Sequence, residues 1–165
     1  MNAASQAAVA GAAGAVTTNV LHEITRRLTP DAPRVDLLGM QALARGLQFL
    51  GFEAPVGGTL YRLTLAGDLV SNSAYFALVA RGPEDLALPV GAALGVLAGI
   101  GAVVLPQRLR LSATPTERTT MTKALTVLLY TAGGIAAGLA FDALDDDDAE
   151  LSESTPDGIS ELRSD

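Results

Sequence analysis

The chain has 165 residues, 49% of them hydrophobic, with 17 glycines, no cysteine and 18% charged residues, against roughly 25% charge in an ordinary soluble domain. Its net charge of −7 is uneven: residues 142–165 hold ten acids and one base, so this tail is −9 and residues 1–141 are +2. A near-neutral apolar body with no Lys/Arg-rich face excludes a basic nucleic-acid binder, the missing cysteines exclude disulfide frameworks and thiolate metal sites, and a single histidine excludes a two-histidine zinc centre.

A membrane helix needs about 20 mostly apolar residues to cross a hydrocarbon core about 30 Å thick. Residues 3–21 carry no charge and read as the first span. No Lys or Arg precedes Arg26, so the segment lacks the basic start of a signal peptide. Residues 35–52 lie between Pro30 and Pro33 on one side and Pro55, Gly57 and Gly58 on the other, residues that break helices. At a helical period Leu37, Met40, Leu43, Ala44, Leu47 and Leu50 share one arc, and Gln41, Arg45 and Gln48 a narrow polar stripe. This pattern predicts an amphipathic helix in the membrane interface. Spanning or re-entry is the alternative, and a span would put Arg45 near mid-membrane at a cost of about 2.5–3.5 kcal/mol.

Residues 60–80 are long enough to cross but contain Arg62 and Asp68. They are read as a span because their polar groups are ordered. Tyr61, Thr64, Ser71, Asn72 and Tyr75 fall within about 60° of Asp68 on a helical wheel. The opposite side is Leu63, Ala66, Val70, Ala74 and Ala77. Residues 86–106 form the most apolar span, and residues 124–141 the last. The expectation is an all-α integral membrane protein: a bundle of four transmembrane helices, one interfacial or re-entrant helix, and a disordered acidic tail over 142–165.

Lys and Arg concentrate in the segments between the first and second spans and between the third and fourth. The positive-inside rule puts those loops in the cytoplasm and both termini outside. Arg outnumbers Lys ten to one and Ala is abundant, which points to a GC-rich bacterial source and a bacterial cytoplasmic membrane. Small residues four apart let lipid-embedded helices approach closely. Gly91, Gly95 and Gly99 form such a stripe on the third span, Gly134 and Gly138 on the last, and Ala7, Gly11 and Ala15 on the first. Packing inside one bundle is the plain reading. A homo-oligomer through the Gly91/Gly95/Gly99 face is the sharper one, with the lipid bilayer as the other partner.

Ionisable groups at membrane depth are costly and often mark a site. Asp68 must therefore be paired or hold a proton. Candidate partners at its level are Asn19, His22 and Arg26 on the first span and Lys123 and Tyr130 on the last; Thr18, His22 and Arg26 share a face. With Asn72, Thr64, Tyr75 and Arg45 they make one tentative ligand-binding cluster. Known chemistry fits it poorly. His22 to Arg26 opens like HExxH but has Arg26 where the second histidine belongs. Ser71 or Ser73 would need His22 to reach across helices to build a nucleophilic triad. The glycines form no phosphate loop, and the tail lacks the calcium-loop spacing. No catalytic residue, metal site or cofactor is expected. Three roles remain. The first is an accessory or structural subunit whose polar residues pair between helices. The second is a transporter or channel component, or a binder of a small anionic ligand such as a lipid headgroup, with a cytoplasm-facing polar pocket. The third is an enzyme acting on lipid headgroups. A cavity lined by Asp68, Asn72, His22 and Arg26 would disfavour the first; contact among them without a void would disfavour the others.

Overall fold

The computed structural model describes residues 1–112, 116 and 118–153, without the side chains of Glu84 and residues 146–153. The described residues contain no strand. Five helices run α1 (Ala3–Leu28), α2 (Val35–Phe49), α3 (Gly57–Phe76), α4 (Ala87–Arg108) and α5 (Thr120–Glu153); two short 3-10 turns, Ala77–Arg81 and Glu84–Leu86, join α3 to α4. Sequence signals mark several of the helix ends. Asn2 caps α1 by accepting from the Ser5 amide at 2.9 Å, and Pro30 follows its last turn. Arg26 and Arg27 lie in that turn, where cations oppose the helix dipole. Pro89 sits in the first turn of α4, where an amide is unneeded.

The helices α2 and α4 end in the same device. Beyond α2, Phe52 N–H donates to Leu47 and Gly51 N–H to Gln48, at 2.9 and 3.0 Å. Beyond α4, Leu111 N–H donates to Pro106 and Arg110 N–H to Gln107, at 2.8 and 3.1 Å. The pattern needs one left-handed residue. Gly51 supplies it at φ 83°, whereas after α4 an arginine, Arg110, does so at φ 56°.

Three helical stretches, Gly57–Arg81, Ala87–Arg108 and Thr120–Asp145, are long and apolar enough to cross a membrane, consistent with a membrane protein. The ranking differs from the sequence expectation. The doubtful 60–80 segment qualifies, while α1 falls short in apolarity: Gln6, Thr17, Thr18, Asn19, His22 and Glu23 interrupt a run that is mostly Ala and Gly. At the other terminus the helix does not stop at Phe141. It continues through the aspartates to Glu153, since no Gly or Pro stands between Gly138 and Pro156. The rest of the expected disordered tail, 154–165, lies outside the described residues.

Contacts place the helices in the order α4, α5, α1, α3, with α2 against α3. The first turn of α1 meets the far part of α5, where Gln6 Nε2 donates to the Leu144 carbonyl at 3.2 Å. At the opposite end the 29–31 turn meets the start of α5, where Arg118 pairs with Asp31 at 3.6 Å. The chain start and the α3–α4 connection thus share one end of the bundle. The helix α2 and most of the arginines occupy the other, here called the α2 end.

Glycines set the spacing toward the chain-start end. Gly91 faces Gly134, and a Cβ on Gly138 would stand 2.7 Å from the Ala87 carbonyl oxygen. Gly14 is as close to Gly133, at 2.9 Å, and Gly11 faces the backbone of Ser73 and Ala77. The stripe of Gly91, Gly95 and Gly99 is therefore covered by α5 of the same chain. Two small cores fill this half: Ala10, Val79, Ala87 and Phe141, and Phe76, Tyr130 and Ala137. α3 and α4 are tied there by Tyr75 Oη donating to the Leu94 carbonyl at 2.9 Å. Toward the α2 end cavities open between α3 and its neighbours, and on the exposed face of α3 a Cβ on Gly67 would meet no atom within 4 Å.

Candidate functional site

Where α3 separates from α1, a cleft of about 580 Å³ opens. Its apolar walls are Val16, Val20 and Ile24 of α1 and Leu65 and Leu69 of α3. Its polar lining is Asn19, His22, Glu23, Arg26 and Arg27 of α1, Tyr61, Thr64 and Asp68 of α3, and Asp36 at the start of α2. A second cavity, about 550 Å³, lies where α3 separates from α4. It is lined by Asp68, Ser71, Asn72 and Tyr75, by α4 from Leu97 to Pro106, and by Tyr130. Val35 and Asp68 border both cavities, so Asp68 stands in the partition between them. Two features keep α2 in this place. A Cβ on Gly39 would stand 2.7 Å from the Thr64 methyl, so α2 lies close against α3. Its other side is held by Arg45 donating to the Arg110 carbonyl and by Gln41 accepting from the Ser112 amide at 3.1 Å.

The periodicity of α1 and α3 brings the centre of the cluster together. Asn19 Nδ2 donates to Asp68 Oδ2 at 2.8 Å, and to its own helix at Ala15, at 3.0 Å. Asn72, one turn beyond Asp68, lies beside both Asp68 and Tyr130. The His22 ring meets the Tyr130 ring edge-on at 5.5 Å. Thr18 back-bonds to Gly14 at 2.9 Å, the usual way for a helical hydroxyl to satisfy itself.

The charged partners are arranged otherwise than the sequence suggests. Arg26 and Arg27 both donate to Glu23, Arg27 Nε at 2.8 Å. Arg34 holds Asp36 through two bonds, 2.9 and 2.7 Å. Burial pushes the Asp36 carboxyl up, but the Arg34 guanidinium outweighs burial and leaves it below the usual carboxylate range. Arg45 lies at the α2–α4 contact and lines neither cavity. Lys123 is exposed and likewise lines neither. Tyr75 borders the second cavity but spends its hydroxyl on α4. Among the described residues, no Lys or Arg lies within ion-pair distance of Asp68; its polar contacts are amides. An arginine one turn from a glutamate pairs locally, and the wheel that aligned Arg26 with His22 does not register that competition.

Three buried side chains lack hydrogen-bond partners among the described residues: His22 at both ring nitrogens, Thr64 at its hydroxyl and Asn72 at its amide nitrogen. His22 is 7% exposed and Thr64 8%, and both line the first cleft. A buried polar group without a partner costs about 1–3 kcal/mol. The sequence singled out all three residues, but the void beside them is a tertiary feature that no spacing announces. Sequence reasoning missed Asp36 and Tyr61 as lining residues; the polar arc around Asp68 already contained Tyr61, and nothing in the sequence placed α2 beside it. Comparison with protein-family models, curated proteins and solved structures returns no match.

Proposed function

We propose that the chain is a multi-pass protein of a bacterial cytoplasmic membrane whose cleft between α1 and α3 binds a small molecule. Four crossings, by α1, α3, α4 and α5, fit the arrangement. Although α1 is the least apolar of the four, its 26 residues reach about 39 Å. Val9, Val16, Val20, Ile24 and Leu28 give it a continuous exposed apolar stripe, whose middle, Val16, Val20 and Ile24, is also a wall of the cleft. The helix α2 has 15 residues, about 22 Å, too short to cross a core of about 30 Å. Its end presents exposed Phe49, Leu50 and Phe52, suited to a membrane interface with the first turn wedged beside α3. The arginines at the α2 end place it in the cytoplasm by the positive-inside rule, with the chain start and the acidic tail outside.

The observation that carries the binding reading is His22, buried at the cleft with neither ring nitrogen bonded. A network serving only to hold helices in register satisfies its members. This one leaves an imidazole and a hydroxyl without partners among the described residues, on side chains that line a cleft within the 300–1,000 Å³ range of small-molecule sites. An accessory-subunit role is supported by one contact, the Asn19–Asp68 bond between α1 and α3.

The absence of cysteine makes the test direct. In proteoliposomes, a cysteine replacing Thr64 is expected to react with a small membrane-impermeant thiol reagent supplied at the α2 end, while one replacing Val79, 1% exposed, stays unmodified. Equal protection at both positions would describe a sealed bundle and return the accessory role.

A further inference from the structure

Resting on the binding reading above, we infer that the cleft takes an organic cation, an ammonium group carried on an apolar body, with Asp68 as its counter-ion. The first support is charge bookkeeping by position. The cleft is lined by three carboxylates, Glu23, Asp36 and Asp68, and two guanidiniums, Arg26 and Arg27. The other charged groups that line the cleft are already engaged. Glu23 receives both arginines, and Asp36 is held bidentately by Arg34. Asp68, deeper along α3, accepts from the Asn19 amide at 2.8 Å and lies beside the Asn72 amide, with no Lys or Arg in ion-pair distance among the described residues. A half-buried carboxylate without a cation beside it carries a desolvation cost that no ion pair offsets. A protonated amine entering the cleft supplies what no described residue supplies.

The second support is independent of charge. His22 and Thr64 line the same cleft, and neither the imidazole nor the hydroxyl has a hydrogen-bond partner among the described residues. A neutral imidazole offers a lone pair and a hydroxyl offers two. An ammonium carries three donors, which a carboxylate oxygen, an imidazole nitrogen and a threonine hydroxyl can accept together. The remaining lining is aliphatic, from Val16, Val20, Leu65 and Leu69, with the Tyr61 ring available to the face of a cation. An anionic ligand, the chemistry first suggested by the arginines, meets the opposite conditions: the guanidiniums are already engaged by carboxylates, and Asp68 would repel it.

The test uses the full chain in lipid nanodiscs and three probes that share a phenyl ring: phenethylammonium, 2-phenylethanol and phenylacetate. Binding is read by equilibrium dialysis with empty nanodiscs subtracted. The ammonium is expected to bind at least tenfold more tightly than the alcohol. Asp68→Asn keeps an acceptor for Asn19 and is expected to erase that preference while changing alcohol binding less than twofold. His22→Phe is expected to weaken the ammonium more than the alcohol. If alcohol and ammonium bind alike to both proteins, the cleft stands as a binding site and the cation assignment falls. Preference for phenylacetate would overturn it in favour of the arginines. Binding of none of the three would remove the binding reading itself.

Discussion

The two halves of the bundle are built from the same helices by opposite rules. Toward the chain start, backbones touch through Gly11, Gly14, Gly91, Gly133, Gly134 and Gly138, and the space between them is filled by Phe76, Val79 and Phe141. Toward α2, α3 diverges from both α1 and α4, and the gaps are bordered by Asp68, Asn72, His22 and Thr64. Lipid tails are as apolar as leucine, so helices gain little from apolar contact alone and associate by close packing and hydrogen bonds. A protein in that solvent can leave a void only where another part of it holds the helices together. The tight half does so here, and it lets the splayed half keep polar groups unbonded.

If stability resides in the tight half, its residues dominate any substitution series. Phe76 is fully buried against Tyr130 and Ala137. Phe76→Ala is expected to cost about 3–5 kcal/mol, read as a large fall in the midpoint of thermal unfolding in detergent. A midpoint close to the wild type would mean that the bundle does not depend on this core. Next in size is Gly134→Ala. The new methyl would meet Gly91 and stand 2.8 Å from Gly95 N, which is backbone against backbone and cannot give locally. A cost of about 1–3 kcal/mol is expected, together with reduced accumulation in the membrane. Unimpaired folding would show that α4 and α5 are spaced more loosely than their glycines indicate.

Much of the tight half is legible in the sequence, and less of the splayed half. Glycines four apart on residues 91–99 and 134–138 specify a close helix pair, because few other patterns let backbones approach. The polar arc on α3 is equally readable: Thr64, Asp68, Asn72 and Tyr75 border the cavities, as a helical period requires. What the sequence does not carry is the azimuth of one helix relative to the next. Asp68 therefore meets Asn19 in place of a base, and Arg26 turns to Glu23 within its own helix. The placement of α2 beside Thr64 depends on the absent side chain of Gly39, which reads in sequence as an ordinary weak point in an amphipathic helix. The length of α5 is not legible for a different reason: acidity argues for solvent, and solvent exposure does not by itself end a helix.

In the splayed half, substitutions at the partition are expected to cost less. Asp68→Leu removes an acceptor from Asn19, whose amide keeps its bond to Ala15, and it removes a carboxylate with no basic partner among the described residues. The two effects oppose each other, and a net change within about 1 kcal/mol is expected. Accumulation and unfolding midpoint should stay near the wild type. Collapse of folding would show that the Asn19–Asp68 bond is a main tie of α1 to α3 and would favour the accessory role.

The smallest effect discriminates best, because it uses the same chemical change as Gly134→Ala in the other half. Gly67 lies one residue before Asp68 on α3 and has open space where a Cβ would go. Adding a methyl there meets nothing, and it removes the conformational freedom that makes glycine poor in a helix interior, worth about 0.5–1 kcal/mol relative to alanine. Gly67→Ala is therefore expected to raise the unfolding midpoint slightly, whereas Gly134→Ala lowers it. The opposite signs follow from the open space at Gly67 and the close backbone of α4 at Gly134. A destabilising Gly67→Ala would mean that this exposed face of α3 has a neighbour closer than the open space at its Cβ allows.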